Sequence, residues 1–228
     1  MKHEIMYQPS YAMAKITLDK DEAVQAESGA MVSMSENIEV ETGLQSGGVW
    51  NALKRTVLGG ESFFVNTFTA KEKEGEINLA PVLTGDIFIQ EMSGGAMLVQ
   101  SGSYLAGSAD LTVDTKWGGA KTFFSGEGLF MLRVSGSGTL MMSSYGAIHE
   151  VDLQAGQKYV IDTGHVVAFD ENVQYEVKKV GNWKSTFLSG EGLVVELTGP
   201  GKVLLQTRSF ESFMNYLIPK LPKSNSHE

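Results

Sequence analysis

One phrase occurs three times in this chain, and an internal repeat of that kind constrains the fold more tightly than any bulk property. Thr56-Val57-Leu58-Gly59-Gly60-Glu61-Ser62-Phe63 aligns with Thr122-Phe123-Phe124-Ser125-Gly126-Glu127-Gly128-Leu129 and with Thr186-Phe187-Leu188-Ser189-Gly190-Glu191-Gly192-Leu193. Trp50 and Lys54 stand before the first copy, Trp117 and Lys121 before the second, Trp183 and Lys184 before the third; the chain has no other tryptophan. A second phrase lies upstream of each: Gly29-Ala30-Met31-Val32, Gly102-Ser103-Tyr104-Leu105 and Gly164-His165-Val166-Val167. Two phrases in fixed order, three times over, predict three diverged copies of one unit, spanning about 12–80, 81–142 and 143–207.

The segments around the phrases read as strands. Leu193, Val195 and Leu197 fall on one face of an alternating run and Glu196 on the other, which is period two. The runs Leu129 to Val134 and Phe63 to Phe68 are apolar on both faces, as in strands enclosed by a core. Glycine-rich links follow: Ser135-Gly136-Ser137-Gly138 and Thr198-Gly199-Pro200-Gly201, with the longer, charged Lys71-Glu72-Lys73-Glu74-Gly75 in the first copy. Each link is expected to be a hairpin turn joining partner strands, because glycine reaches positive φ without steric cost. Neither glycine-rich loop reads as a phosphate cradle, since no helix follows it.

Helix is expected at two places. Ser209 caps a segment over 209–218 whose apolar residues Phe210, Phe213, Met214, Leu217 and Ile218 recur at helical spacing, with Pro219 and Pro222 closing it. A single turn is expected from Val49 to Arg55. Residues 223–228 read as a disordered tail. No linker divides the chain, so residues 1–222 are expected to form one all-β domain, an antiparallel β-sandwich or short barrel.

Composition removes several function classes. The chain of 228 residues has no cysteine, so disulfides, thiolate metal sites and a cysteine nucleophile are excluded. The net charge is −9, which argues against a nucleic-acid partner. The N-terminal residues show no continuous apolar stretch of signal-peptide type, and a cytoplasmic setting is expected.

Four separated phrases resemble the AIM24 family: Glu27-Ser28-Gly29-Ala30-Met31, Gly48-Val49-Trp50 through Gly59-Gly60-Glu61-Ser62-Phe63-Phe64, Leu79-Ala80-Pro81 to Gly85-Asp86-Ile87, and Asp162-Thr163-Gly164-His165-Val166-Val167-Ala168-Phe169. The family was formerly catalogued as a bacterial domain of unknown function. The resemblance implies a double-stranded β-helix-like sandwich similar to the tryptophan RNA-binding attenuation protein. It also implies a homo-oligomer, with a trimer favoured. Mitochondrial relatives are associated with inner-membrane organisation. The family brings no catalytic residues and no cofactor, and a shared fold transfers neither tryptophan nor RNA as a ligand.

The residues themselves offer two candidate sites. His149 and His165, with Asp162 three positions before the latter, are the residue types of a cupin-like metal centre. The positions equivalent to His165 are Ala30 and Ser103, which favours a structural or interface histidine over a metal ligand. The second candidate is a basic and aromatic rim of Trp50, Lys54, Arg55, Trp117, Lys121, Trp183 and Lys184, suited to stacking, phosphate contact or an anionic membrane surface; the favoured reading is that each tryptophan packs over a loop beside a solvated lysine. Glu61, Glu127 and Glu191 recur in every copy and read as turn residues rather than an acid–base pair. Met92, Met97, Met131, Met141, Met142 and the six other methionines read as core filler, and Phe213, Met214 and Leu217 as a subunit contact. The expected function is a non-enzymatic, self-associating β scaffold or binding module. A metal-dependent enzyme using His149 and His165 is the alternative, with RNA binding by a ring and membrane-surface association behind it.

Overall fold

A computed structural model describes residues 1–42, 57–58, 61–62, 65–114, 130–179 and 193–222. The first run of strands is β1 (Lys2–Met6), β2 (Met13–Leu18), β3 (Ala23–Glu27), β4 (Met31–Met34), β5 (Ile38–Thr42), the two-residue β6 (Val57–Leu58) and β7 (Glu61–Ser62), β8 (Val65–Ala70) and β9 (Gly75–Leu79). The second is β10 (Ile87–Gln100), β11 (Tyr104–Ser108), β12 (Thr112–Asp114) and β13 (Met131–Ser143). The third is β14 (Ile148–Leu153), β15 (Lys158–Asp162), β16 (Val166–Asp170), β17 (Gln174–Lys179), β18 (Leu193–Thr198) and β19 (Gly201–Gln206). The last described segment forms a short helix, α1 (Phe210–Leu217), and a 3-10 turn over Ile218–Lys220.

All pairings between these strands are antiparallel. A four-stranded sheet runs β1-β2-β9-β4, a three-stranded sheet runs β15-β18-β17, and between them a long bent sheet runs β14-β19-β16-β10-β13-β11-β3-β8-β5. The sheets pack face to face as a sandwich; among the described residues none closes into a barrel. Alternation sets which face turns inward. Ala14, Ile16 and Leu18 of β2 are fully buried while Lys15 and Thr17 between them are not, and Ile77 and Leu79 of β9 complete the same layer. Fully burying an Ile or Leu side chain is worth about 1.5–3 kcal/mol, so slipping either strand by one residue would exchange that gain for buried lysine and glutamate. Among the described residues the apolar interior falls into three clusters. They centre on Ile16, Phe68 and Ile77; on Tyr104, Leu132 and Leu140; and on Phe169, Val195 and Leu197.

The glycine-rich links are not hairpins, which corrects the reading from sequence. β8 and β9 belong to different sheets, and so do β18 and β19. Lys71–Gly75 and Gly199-Pro200 are therefore corners, where the chain leaves one layer of the sandwich for the other. The third link does not turn at all. Ser135 to Gly138 lies inside β13, which stays paired with β10 from Gln100↔Met131 to Ile87↔Ser143, with one irregularity between Ser93 and Ala96. Gly136 and Gly138 have φ of 119° and 142°, and they bend the strand so that its first half pairs with β12 and its second half with β11. A hairpin turn and a sheet-switching bend both need positive φ, so the local signal cannot tell them apart.

The C-terminal helix forms where its cap predicts. Ser209 Oγ accepts from Ser212 N at 3.3 Å, and the chain runs on through Pro219 as a 3-10 turn rather than stopping there. Met92, Met97, Met131, Met141 and Met142 are buried, whereas Met31 and Met34 are exposed on an edge strand, which corrects their reading as core filler.

Candidate functional site

The described candidate residues gather around β19. Asp162 ends β15 and its Oδ1 accepts from Gly164 N at 2.9 Å, capping the 3-10 turn Thr163–His165. His165 Nδ1 lies 2.7 Å from the Gln206 carbonyl oxygen; a carbonyl only accepts, so Nδ1 carries the hydrogen and donates. The Gln206 side chain closes the network, its Nε2 donating to Gly164 O at 2.9 Å and its Oε1 accepting from Tyr145 N at 2.9 Å. Thr163 Oγ1 donates to Leu193 O at 3.1 Å. These bonds pin the turn to the end of β19, where α1 departs. His149 sits on β14 opposite Leu205 and is exposed. Asp162 and His165 thus face backbone groups, and no three residues among His, Asp and Glu converge as a metal-binding set among the described residues. Gln206 was missed from sequence, since a lone glutamine at a strand end carries no distinguishing pattern.

The basic and aromatic rim, Trp50, Lys54, Arg55, Trp117, Lys121, Trp183 and Lys184, lies outside the described residues, as do Glu127, Glu191 and the turn expected over 49–55. Of the three recurring glutamates only Glu61 falls on a described element, in β7 paired with Leu58 of β6.

Ion pairs elsewhere knit strands together on the outer faces. Arg133 grips Glu171 through two bonds, Nε to Oε1 at 2.6 Å and Nη2 to Oε2 at 3.0 Å. Its hydrogen bonding holds the Glu171 carboxyl below the usual range. Glu196 of β18 lies between Lys158 and Lys178, at 2.6 and 3.0 Å, and is lowered by their hydrogen bonds, that of Lys158 first. The Tyr104 hydroxyl is buried and pushed upward by desolvation, which makes it an inert core group.

The uncovered apolar surface is more informative. β4 is the edge of its sheet and exposes all four residues, with Met31, Val32 and Met34 among them. Helix α1 buries no residue fully: Phe210 and Phe213 are exposed, and Phe213 meets the described body edge-on at Tyr145, ring centroids 6.2 Å apart. Among the described residues no helix is long and apolar enough to cross a membrane.

Fold and surface together define an antiparallel all-β protein with open strand edges and a clinging C-terminal helix. The family model described as mitochondrial biogenesis AIM24 matches residues 3–208, and the chain belongs to the AIM24 family. It is 28% identical over 233 residues to an uncharacterized protein of Streptococcus pyogenes serotype M6, covering 99% of this chain and 93% of that one. It also resembles an X-ray crystal structure of a Streptococcus pyogenes protein, with a TM-score of 0.78 and 27% identity over 96% of this chain and 99% of the other.

Proposed function

We propose that this AIM24-family protein is a non-enzymatic scaffold that associates with copies of itself, as a trimer or larger assembly, through apolar strand edges. The observation that carries the reading is β4, an edge strand with Met31, Val32 and Met34 all exposed. Soluble proteins guard such edges with charge, proline or a covering segment, because unpaired backbone donors and acceptors beside apolar side chains template pairing with another strand. The three units read from the sequence are part of the same proposal, one chain supplying three similar building blocks. A cytoplasmic setting belongs to it as well.

Light scattering and native mass spectrometry of the purified protein at micromolar concentration test the reading. A mass of three chains or more is expected. A single-chain mass across that range would overturn it.

A further inference from the structure

Three strand pairs in this chain share one register. Tyr104 pairs with Met142 and Ala106 with Met141, the ladder skipping Leu105. Val166 pairs with Leu205 and Ala168 with Leu204, skipping Val167. Met31 pairs with Leu79 and Ser33 with Asn78, skipping Val32. β11, β16 and β4 thus hold the same place in their sheets, each just after the glycine of its Gly-containing phrase.

Their other edges differ. β11 continues into β3 of the preceding run of strands, Ala106 against Ala26 and Gly107 against Gln25. β16 continues into β10 of the run before it, Ala168 against Val99 and Phe169 against Leu98. β4 has no strand on that side among the described residues. The consequence is visible in burial: Leu105 and Val167 are 0% exposed, whereas Val32 is 55% exposed. At the opposite end, β3 and β10 each have a counterpart in β15, the strand leading to Gly164. Among the described residues β15 pairs with β18 alone, and its Val160 is 58% exposed where the corresponding Leu98 is 1% exposed.

We infer that β15 of one copy adds to β4 of a second copy in the register that the chain uses twice within itself. Carrying that register over sets Ser33 against Ile161 and Met34 against Val160 of the two copies, and Glu36 faces Lys158. The antiparallel addition joins β1-β2-β9-β4 to β15-β18-β17 in one continuous sheet, buries Met31, Val32, Met34 and Val160, and satisfies both backbone edges. Because the two edges differ, the contact is head-to-tail, and copies close into a ring or extend as a filament according to the rotation each joint imposes. The inference rests on the self-association proposed above and names its joint.

The chain has no cysteine, so introduced thiols report the contact directly. A Met34→Cys chain mixed with a Val160→Cys chain and oxidised should give a two-chain disulfide species roughly tenfold above a mixture of Val82→Cys with Val160→Cys, since directly opposed strand residues sit within disulfide reach. Val160→Lys, at an exposed position, should leave the circular dichroism of the folded chain unchanged and reduce the assembly to single chains. An assembled wild type that shows neither effect overturns the β4–β15 joint and leaves the scaffold reading standing. A wild type of single-chain mass overturns both. A disulfide formed within one chain of a Met34→Cys, Val160→Cys double variant overturns the second copy as occupant.

Discussion

A Cβ built on Gly138 would lie 2.8 Å from the Cβ of Ser108. So close an approach leaves room only for glycine at the bend of β13. Gly138 holds φ at 142°, and Ser108 Oγ accepts from Thr139 N at 2.9 Å just beyond it. The backbone comes so close to β11 that the hydroxyl replaces a ladder partner. Beside it, a Cβ on Gly136 would meet Asp110 O at 2.9 Å. Gly138→Ala therefore combines strain at positive φ with a steric clash and should cost roughly 1–3 kcal/mol or more. Urea unfolding checks this; a midpoint within error of wild type would show that the bend does not depend on glycine.

Acid should destabilise the protein before base does. Glu76, Glu171 and Glu196 are all lowered below 4.5, chiefly by hydrogen bonds from Lys15, Arg133 and Lys158 respectively. A carboxyl with a depressed folded value stabilises the fold fully above its unfolded value. That contribution fades as the pH falls below about 4.5 and through the lower folded values. Melting temperature should hold level from pH 7 to pH 5 and decline below. Glu196→Gln, which removes two lysine contacts, should flatten the decline. An acid limb unchanged in that variant would assign the loss to other groups.

His165 is expected to act as a strut. Its Nδ1 donates to the Gln206 carbonyl, and His165→Ala should cost about 1 kcal/mol by leaving that acceptor without its partner. Treatment with chelator should leave the melting temperature of the wild type unchanged. A chelator-induced drop that His165→Ala or His149→Ala abolishes would instead establish a metal bound by these histidines.

Helix α1 should be the least protected described element. It buries no residue and is tied down by its cap and by Phe213 against Tyr145. Ser209→Ala should cost about 1 kcal/mol of helix stability, seen as faster amide exchange over 210–217 with β13 and β10 unaffected. Protection of α1 equal to that of the core strands at micromolar concentration would mean that the helix is covered in the assembly.

Much of the architecture was legible from the residues alone. The alternation Leu193, Val195, Leu197 against Glu196 placed β18 and its faces, with Val195 and Leu197 buried and Glu196 paired to lysines. Ser209 and the spacing of Phe210, Phe213 and Leu217 placed α1. Period two and helix capping are properties of neighbours along the chain, so a single sequence carries them. Which sheet a strand joins is different, because the pairing partner lies far away in sequence. Lys71–Gly75, Ser135–Gly138 and Thr198–Gly201 carry the same glycine signal as a hairpin, yet two are corners and one is a bend inside a continuous strand. Met31-Val32, Tyr104-Leu105 and Val166-Val167 look alike as sequence. Only the tertiary structure separates them, since a strand is buried when another strand lies on its free side, and β4 alone of the three has none among the described residues.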